Sequence, residues 1–514
     1  MNRSKALSFF PILLLAALSL TACSGLKNRC TTNCTVGGNA TVSFTLVADT
    51  LPANPSILSF KVSIVGIALT PTTGAAVTLT PATPVVDLMR LQSDTAFLGA
   101  LPSVPSGTYT VQVTLTSQEI TFLNDTTSSI TANGTACTVN AVCAVTLAAA
   151  GTPSVASFTF TATSGGKQGI ELDFNLKNAI SLTNGTLSVN FNPATPNPGV
   201  FTAFTLPRTN ANLGTNQLEL IEDFTGVVSL SGNNVTIASN TRGMLMATST
   251  SSSFFDPSPD GNTCPTPSTL TCVVNGQIAS VDAFLNTDGT LSLKEFEPLN
   301  ATQKDFVEGI VYAVTPASST QFTIAVTDKV HGATNPLITG LNTGDRLTVN
   351  IGTQPFLVDL KGFVGVKNSF AADFSLFDSQ TTTSAIHPGQ TVAVHVTAFT
   401  AANPAANPPT LAIATVDTVV LRWSRFRANV ASDTSSTINI DTLPTYFGTL
   451  STTQEIVQTF TGTLGADGVT SLDGIATDTT GLTVGQPVGL RVLYLQNTSD
   501  NATMPFFAAK VRKP

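Results

Sequence analysis

Six cysteines fall into three close pairs, Cys30 with Cys34, Cys137 with Cys143, and Cys264 with Cys272. Pairs near in sequence and remote from one another suit local disulfides, each contributing about 2 kcal/mol on the chain-entropy estimate. Their intervals lack the repeated C-x2-C of a zinc ribbon, and only His331, His387 and His395 offer imidazoles. Residues 284–295 place Asn286, Asp288, Gly289 and Glu295 at positions 3, 5, 6 and 12 of a calcium loop. Phe284 stands where the first carboxylate is required, and the flanks read as strands, so Asp288-Gly289 is expected to be a hairpin turn. Trp423, Arg425 and Arg427 share a face if their segment is extended. Exposed, they would stack on a sugar or a partner surface; buried, Trp423 would pack between modules. His395 alternates with Val392, Val394 and Val396 and is expected to point off the apolar face into water. His387 precedes Pro388 in a turn, and His331 precedes Gly332. G-x-S-x-G, H-E-x-x-H and G-x-x-x-x-G-K-[ST] are all missing. No catalytic residue, metal site or cofactor is therefore expected. A glycosidase-type carboxylate pair leaves no local signature and stays open as a rival.

These residues sit in a chain of 514 residues, enough for three or four domains at ~150 residues each. Hydrophobic residues make up 42%, sufficient for several cores, while charged residues make up only 11% against roughly 25% in ordinary domains. Thr, Ser, Asn, Gly and Pro replace the missing charge, which favours strands and turns over helices. The same scarcity argues against a carboxylate-rich cleft. A net charge of −8 argues against nucleic acid as a partner.

The N-terminus carries Arg3 and Lys5, an apolar stretch from Phe9 to Leu20, and then Leu20-Thr21-Ala22-Cys23. That ending resembles the lipobox of bacterial lipoproteins. The resemblance implies lipidation of Cys23, cleavage before it and acylation of the new amine. Ser24, rather than the Asp that favours inner-membrane retention in that family, points to the outer membrane. Several acyl chains anchor a protein stably with no helix crossing the bilayer.

Beyond a Gly- and Asn-rich tether at 23–39, apolar and polar residues alternate. Val42, Phe44 and Leu46 interleave with Thr and Ser; Ile170, Leu172 and Phe174 interleave with Glu171, Asp173 and Asn175. Period two predicts sheets with one buried and one wet face, here a β-sandwich over 40–200 followed by a linker at 201–220. The stretch resembles a domain-of-unknown-function family of bacterial envelope lipoproteins. Ile64-Val65-Gly66-Ile67-Ala68-Leu69, Val86-Asp87-Leu88-Met89-Arg90-Leu91, Leu101-Pro102, Pro105-Ser106-Gly107-Thr108-Tyr109 and Leu172-Asp173-Phe174-Asn175-Leu176 carry the resemblance. It implies no chemistry.

From about residue 220 one pattern recurs three times. Each copy opens on a Phe (Phe224, Phe306, Phe426), has Gly-Gln before a later strand (Gly276-Gln277, Gly389-Gln390, Gly485-Gln486), and ends on an apolar strand. The third copy places Asn429 at or near the position of Gly226 and Gly309. The pattern predicts an all-β chain ending in three tandem small β-barrels, at 221–300, 304–422 and 423–514. It resembles a second uncharacterised lipoprotein domain family that often occurs in series.

Together these readings imply a non-enzymatic, lipid-anchored outer-membrane protein presenting binding or structural β-domains, facing the periplasm or the cell surface. A carbohydrate-binding or adhesion protein is the first rival, a carboxylate-type hydrolase the second. The expected partners are the membrane, through the lipid, and a glycan or an envelope protein. The barrels are expected to act as separate units. Changing Cys23 to Ala should leave the chain uncleaved or soluble on envelope fractionation; a processed, outer-membrane C23A protein would contradict the anchor.

Overall fold

The computed structural model describes residues 38–49, 51–52, 54–81, 85–146, 153–192, 199–210, 212–255, 270–300, 304–314, 319–330, 337–406, 410–447, 455–460, 469–495 and 506–513. Among them the fold is all-β, with α-helix confined to Leu176–Ala179, Val364–Ser369 and Ala371–Phe374. No helix of the described residues is long and apolar enough to cross a membrane.

The N-terminal unit is a sandwich. One sheet orders Phe201–Leu206, Lys167–Asn175, Ala40–Asp49 and Ala96–Val104; the other is built on Pro153–Ala162, Gly107–Leu123, Ser56–Pro71 and Val77–Leu79. Val42, Phe44, Leu46, Ile170, Leu172 and Phe174 meet Phe60, Val62, Val111 and Val113 in one core, as their alternation predicts. A small third sheet adds Thr135–Cys137, and the disulfide Cys137–Cys143 ties it to Val142–Val145, with Cα atoms 6.0 Å apart. The expected boundary at 200 needs correction. Phe201–Leu206 pairs antiparallel with Lys167–Asn175, so the sandwich runs to Leu206.

The expected wet face is also corrected. Ser43, Thr45, Glu171 and Asp173 are buried along with their apolar neighbours. The barrels cover that face: the hairpin at Gly289 lies against Thr41, Ser43 and Ala100, and arginines from the third barrel reach Glu171 and Asp49.

The three repeats share one strand order. The first strands are Gln217–Ser231, Asp305–Val314 and Ser424–Asp433, and each pairs with the second and fifth of the six strands of its own barrel. The third and last strands then pair in parallel: Thr248 with Ser292, Leu347–Ile351 with Ala412–Val416, and Val457 with Phe506. The recurring sequence elements have one structural job. In each copy the Gly-Gln glycine donates its N–H to a valine carbonyl on the first strand, and the Gln carbonyl accepts that valine's N–H; the valines are Val228, Val311 and Val430. Gly276, Gly389 and Gly485 all have φ between 80° and 91°, a backbone region that disfavours a Cβ.

The glycine of the opening strand answers a different need. A Cβ on Gly226 or Gly309 would lie 2.2 or 2.5 Å from a carbonyl oxygen of the second strand. The third barrel places Ala428, not Asn429, at this position, because Ala428 faces Val488 as Gly226 faces Ala279. Its second strand, Thr437–Asp441, ends where it would crowd Ala428, and Thr442 turns away with φ 58°.

Apolar packing crosses the module boundaries. Leu493, Leu495 and Phe507 of the third barrel belong to the core of the second, and Leu58 and Val142 of the sandwich belong to that of the third. Ile278 and Leu299 of the first barrel pack with Phe306 and Ala393 of the second. The expectation of separate units gives way to a shared interior. Calorimetry of the chain from Ser24 should show one cooperative transition, and fragments 304–422 and 423–514 should bind a hydrophobic dye or aggregate. Separate transitions matching independently folded fragments would contradict this.

Candidate functional site

Charge, scarce overall, is concentrated where the four modules meet. The opening strand of the first barrel bulges between Ile221 and Phe224, two residues opposing Asp282 alone. A bulge re-aims side chains; here Glu222 and Asp223 are both buried, and Asp223 N–H donates to Asp282 at 2.8 Å. Arg425 donates to Asp223 and to Asp94 of the sandwich. Arg422 pairs with Asp359 of its own barrel, with Glu308 at 3.3 Å and with Asp223 at 3.5 Å. Arg90, in the one-turn segment Arg90–Gln92 of the sandwich, pairs with Glu308. Arg491 and Lys510 reach Glu222, each at 3.2 Å, and Arg512 bridges Asp473 and Glu171 at 3.4 and 3.1 Å.

Arg242 is held by several partners at once. Its guanidinium donates to the carbonyls of Glu222 and Asp223 at 2.8 Å and to that of Thr95, lies 3.6 Å from Asp94, and covers the Phe224 ring. With Arg208 on Glu171 and Asp328 beside Arg90, the network of these ion pairs connects eight acids and eight bases among the described residues. It is electrically neutral. A buried charge is tolerable only when paired in this way.

The barrels supply equivalent parts. Val358 pairs with Leu421 and Leu472 with Val511, and in each case the next residues form the ion pair, Asp359 with Arg422 and Asp473 with Arg512. In the first barrel Phe255 pairs with Phe296, but Glu297 follows where the others have Arg. The first barrel instead accepts a cation from its neighbour on the adjacent strand Ile278–Asn286, where Lys361 of the second barrel donates to Asp282.

Protonation reflects a balance between burial and pairing. Burial opposes charge on Asp223, Asp94 and Glu308, yet Arg425, Arg422, Arg242 and Arg90 beside them hold all three below the ordinary carboxylate range. Burial dominates where bases are fewer. Glu219, next to Asp473 and Glu171, is pushed well above that range, and Asp173, facing Asp49, is pushed up to about 6. Burial also lowers His387 to about 4 and Arg242 to about 10.

Beside the network a cleft of about 390 Å3 opens between the three barrels. Glu222, Asp282, Lys294 and Glu295 of the first barrel, Lys361 and Phe363 of the second, Trp423 between the second and third, and Ser471 and Arg491 of the third line it. Asn212 donates to Ser471 at 3.1 Å on one side, and Phe254, half exposed, stands at the mouth.

The residues singled out from sequence fare unevenly. Trp423 is 1% exposed, its ring 5.1 Å edge-on from Phe363 and 6.0 Å from the Arg491 guanidinium; Arg425 and Arg427 are buried in ion pairs. The exposed stacking surface is thereby corrected to a junction, because all three side chains face other modules. His395 is likewise corrected: it is buried, 2% exposed, with its ring beside Phe306. Asp288-Gly289 forms the hairpin turn, Asp288 accepting from Thr290 N–H and Oγ1 while Glu295 lies on the far strand beside Lys294. Cys23, Cys30, Cys34, Cys264 and His331 lie outside the described residues, as does the Cys272 side chain. The network itself was missed. Its trace in the sequence is charge embedded in apolar runs, as in Leu220-Ile221-Glu222-Asp223-Phe224, Val358-Asp359-Leu360 and Leu421-Arg422-Trp423.

Comparison of the chain with protein-family models and with curated proteins finds no match in either set.

Asp173 gives a pH test. Its raised folded-state value favours the native state fully below the unfolded value near ~3.9, and that contribution is lost as pH rises through about 6. Urea unfolding at pH 3.5 and 7 should show the stability of the parent falling relative to Asp173→Asn by up to ~3 kcal/mol across the interval. A constant difference between the two proteins would contradict the assignment.

Proposed function

We propose that the chain is a non-enzymatic, lipid-anchored protein of the bacterial outer membrane whose four β-modules act as one rigid binding unit. The observation that carries this reading is the neutral junction: carboxylates, guanidiniums and ammoniums join the modules to one another. A general acid or base must reach substrate and sit near its working pKa; Asp223, Asp94 and Glu308 are buried, paired and locked in the charged form. The lipobox-like Leu20-Thr21-Ala22-Cys23 supports the anchor, and Ser24 supports the outer membrane. The resemblance to two envelope lipoprotein domain families points the same way and rests on the quoted residues.

A rigid unit presents its outward loops at fixed spacing, which lowers the ordering cost of binding. The test uses the purified chain from Ser24, assayed for saturable retention on immobilised envelope fractions and for turnover of glycoside, ester and peptide substrates. The reading expects retention without turnover. Turnover abolished by one Asp or Glu substitution that leaves the fold intact would contradict it.

A further inference from the structure

We propose that the cleft between the three barrels binds a neutral oligosaccharide, with Phe254 as its stacking platform and Glu295 as a hydroxyl acceptor. This names a ligand class for the binding protein proposed above and is independent of the lipid anchor.

Three observations carry it. The first is size and shape: about 390 Å3 lies within the range of small-molecule sites, and walls from three barrels and the Asn212 segment make it concave. The second is charge. The lining holds three acids, Glu222, Asp282 and Glu295, and three bases, Lys294, Lys361 and Arg491. These are already paired, Lys361 and Lys294 with Asp282, Arg491 with Glu222, and Lys294 with Glu295. A charged ligand would have to break a pair and leave its partner uncompensated. A polyhydroxylated neutral ligand can donate to the carboxylates and accept from the ammoniums while the pairs persist. An apolar ligand would leave the same groups desolvated without hydrogen bonds.

The third observation is a pair of uncommitted groups. Glu295 Oε1 is buried and has no hydrogen-bond partner among the described residues, its other oxygen lying 3.6 Å from Lys294. Phe254 is 50% exposed, whereas Phe255, the next residue of the same short strand, points into the barrel core. Phe254 pairs with Glu295 across that strand, so the free ring and the free oxygen stand side by side at the cleft. An apolar ring face beside a lone acceptor is the pairing that a sugar, apolar on one face and hydroxylated at its edge, would satisfy.

The experiment is isothermal titration of the chain from Ser24 with neutral hexasaccharides of the malto, cello, xylo, manno and chito series. Oligogalacturonate serves as the acidic comparison and a chitosan oligomer as the basic one. Phe254→Ala and Glu295→Gln are measured alongside, with melting temperature as the check on folding. The proposal expects saturable binding of at least one neutral series, weakened about tenfold or more in each variant, an effect of ~1.4 kcal/mol, with melting unchanged. No binding by any neutral series, binding that survives both substitutions, or preference for either charged oligomer overturns it. Hydrolysis of the bound oligosaccharide would uphold the site while overturning the non-enzymatic reading, so the two proposals fail separately.

Discussion

The fold depends on pairing every buried charge at the meeting point of its four modules. Asp94 and Arg90 project from one turn of the sandwich into the barrels, and each would be stranded if a barrel were displaced. The network contributes more to specificity than to raw stability. Hydrophobic replacement of whole buried ion pairs is often neutral or stabilising, but a partner left alone costs about 3–5 kcal/mol. Three barrels of one strand order could dock in the wrong places or exchange places. Unequal charge sets prevent that: the first barrel brings the carboxylates Glu222, Asp223 and Asp282, and the third brings Arg425, Arg491, Lys510 and Arg512. The repeats are alike in their backbone and unlike in their charge.

The same arrangement explains how so little charge suffices. Outer strand faces and loops are filled by Thr, Ser and Asn, which hydrogen-bond locally, as at Thr434–Thr437 and Asn286–Thr290. Many of the ionised groups instead sit where they join one module to another. The cleft beside the network is a by-product of joining three convex barrels, and the paired charges lining it decide which ligands could enter without cost.

Much of the fold was legible in the sequence, and the reason is locality. Alternation identified the sandwich strands because side chains on one face recur every second residue. The Gly-Gln element identified the barrels because one turn with positive φ recurs in each. The charged junction was not legible. Its contacts link residues 218 and 331 positions apart, Arg90 with Glu308 and Asp94 with Arg425. Its key carboxylates sit in a bulge, where period-two reasoning assigns faces wrongly. The low overall charge also misled, because composition reports how many ionised groups exist and not where they gather. Trp423 was ambiguous for a related reason: its neighbours Arg425 and Arg427 read as a wet surface until their partners, Asp94 and Asp49, are found in the sandwich.

The central claim is that the junction couples the modules into one cooperative unit, and hydrogen exchange resolved by peptide tests it most directly. The variant is Arg425→Met, which removes one cation from between Asp94 and Asp223 while keeping an unbranched apolar stem. The account predicts lost protection in three places at once: the Ser424–Asp433 strand, the Arg90–Gln92 turn of the sandwich, and the Gln217–Ser231 strand of the first barrel. Loss confined to the Ser424–Asp433 strand, with the sandwich and first barrel exchanging as in the parent, would contradict it.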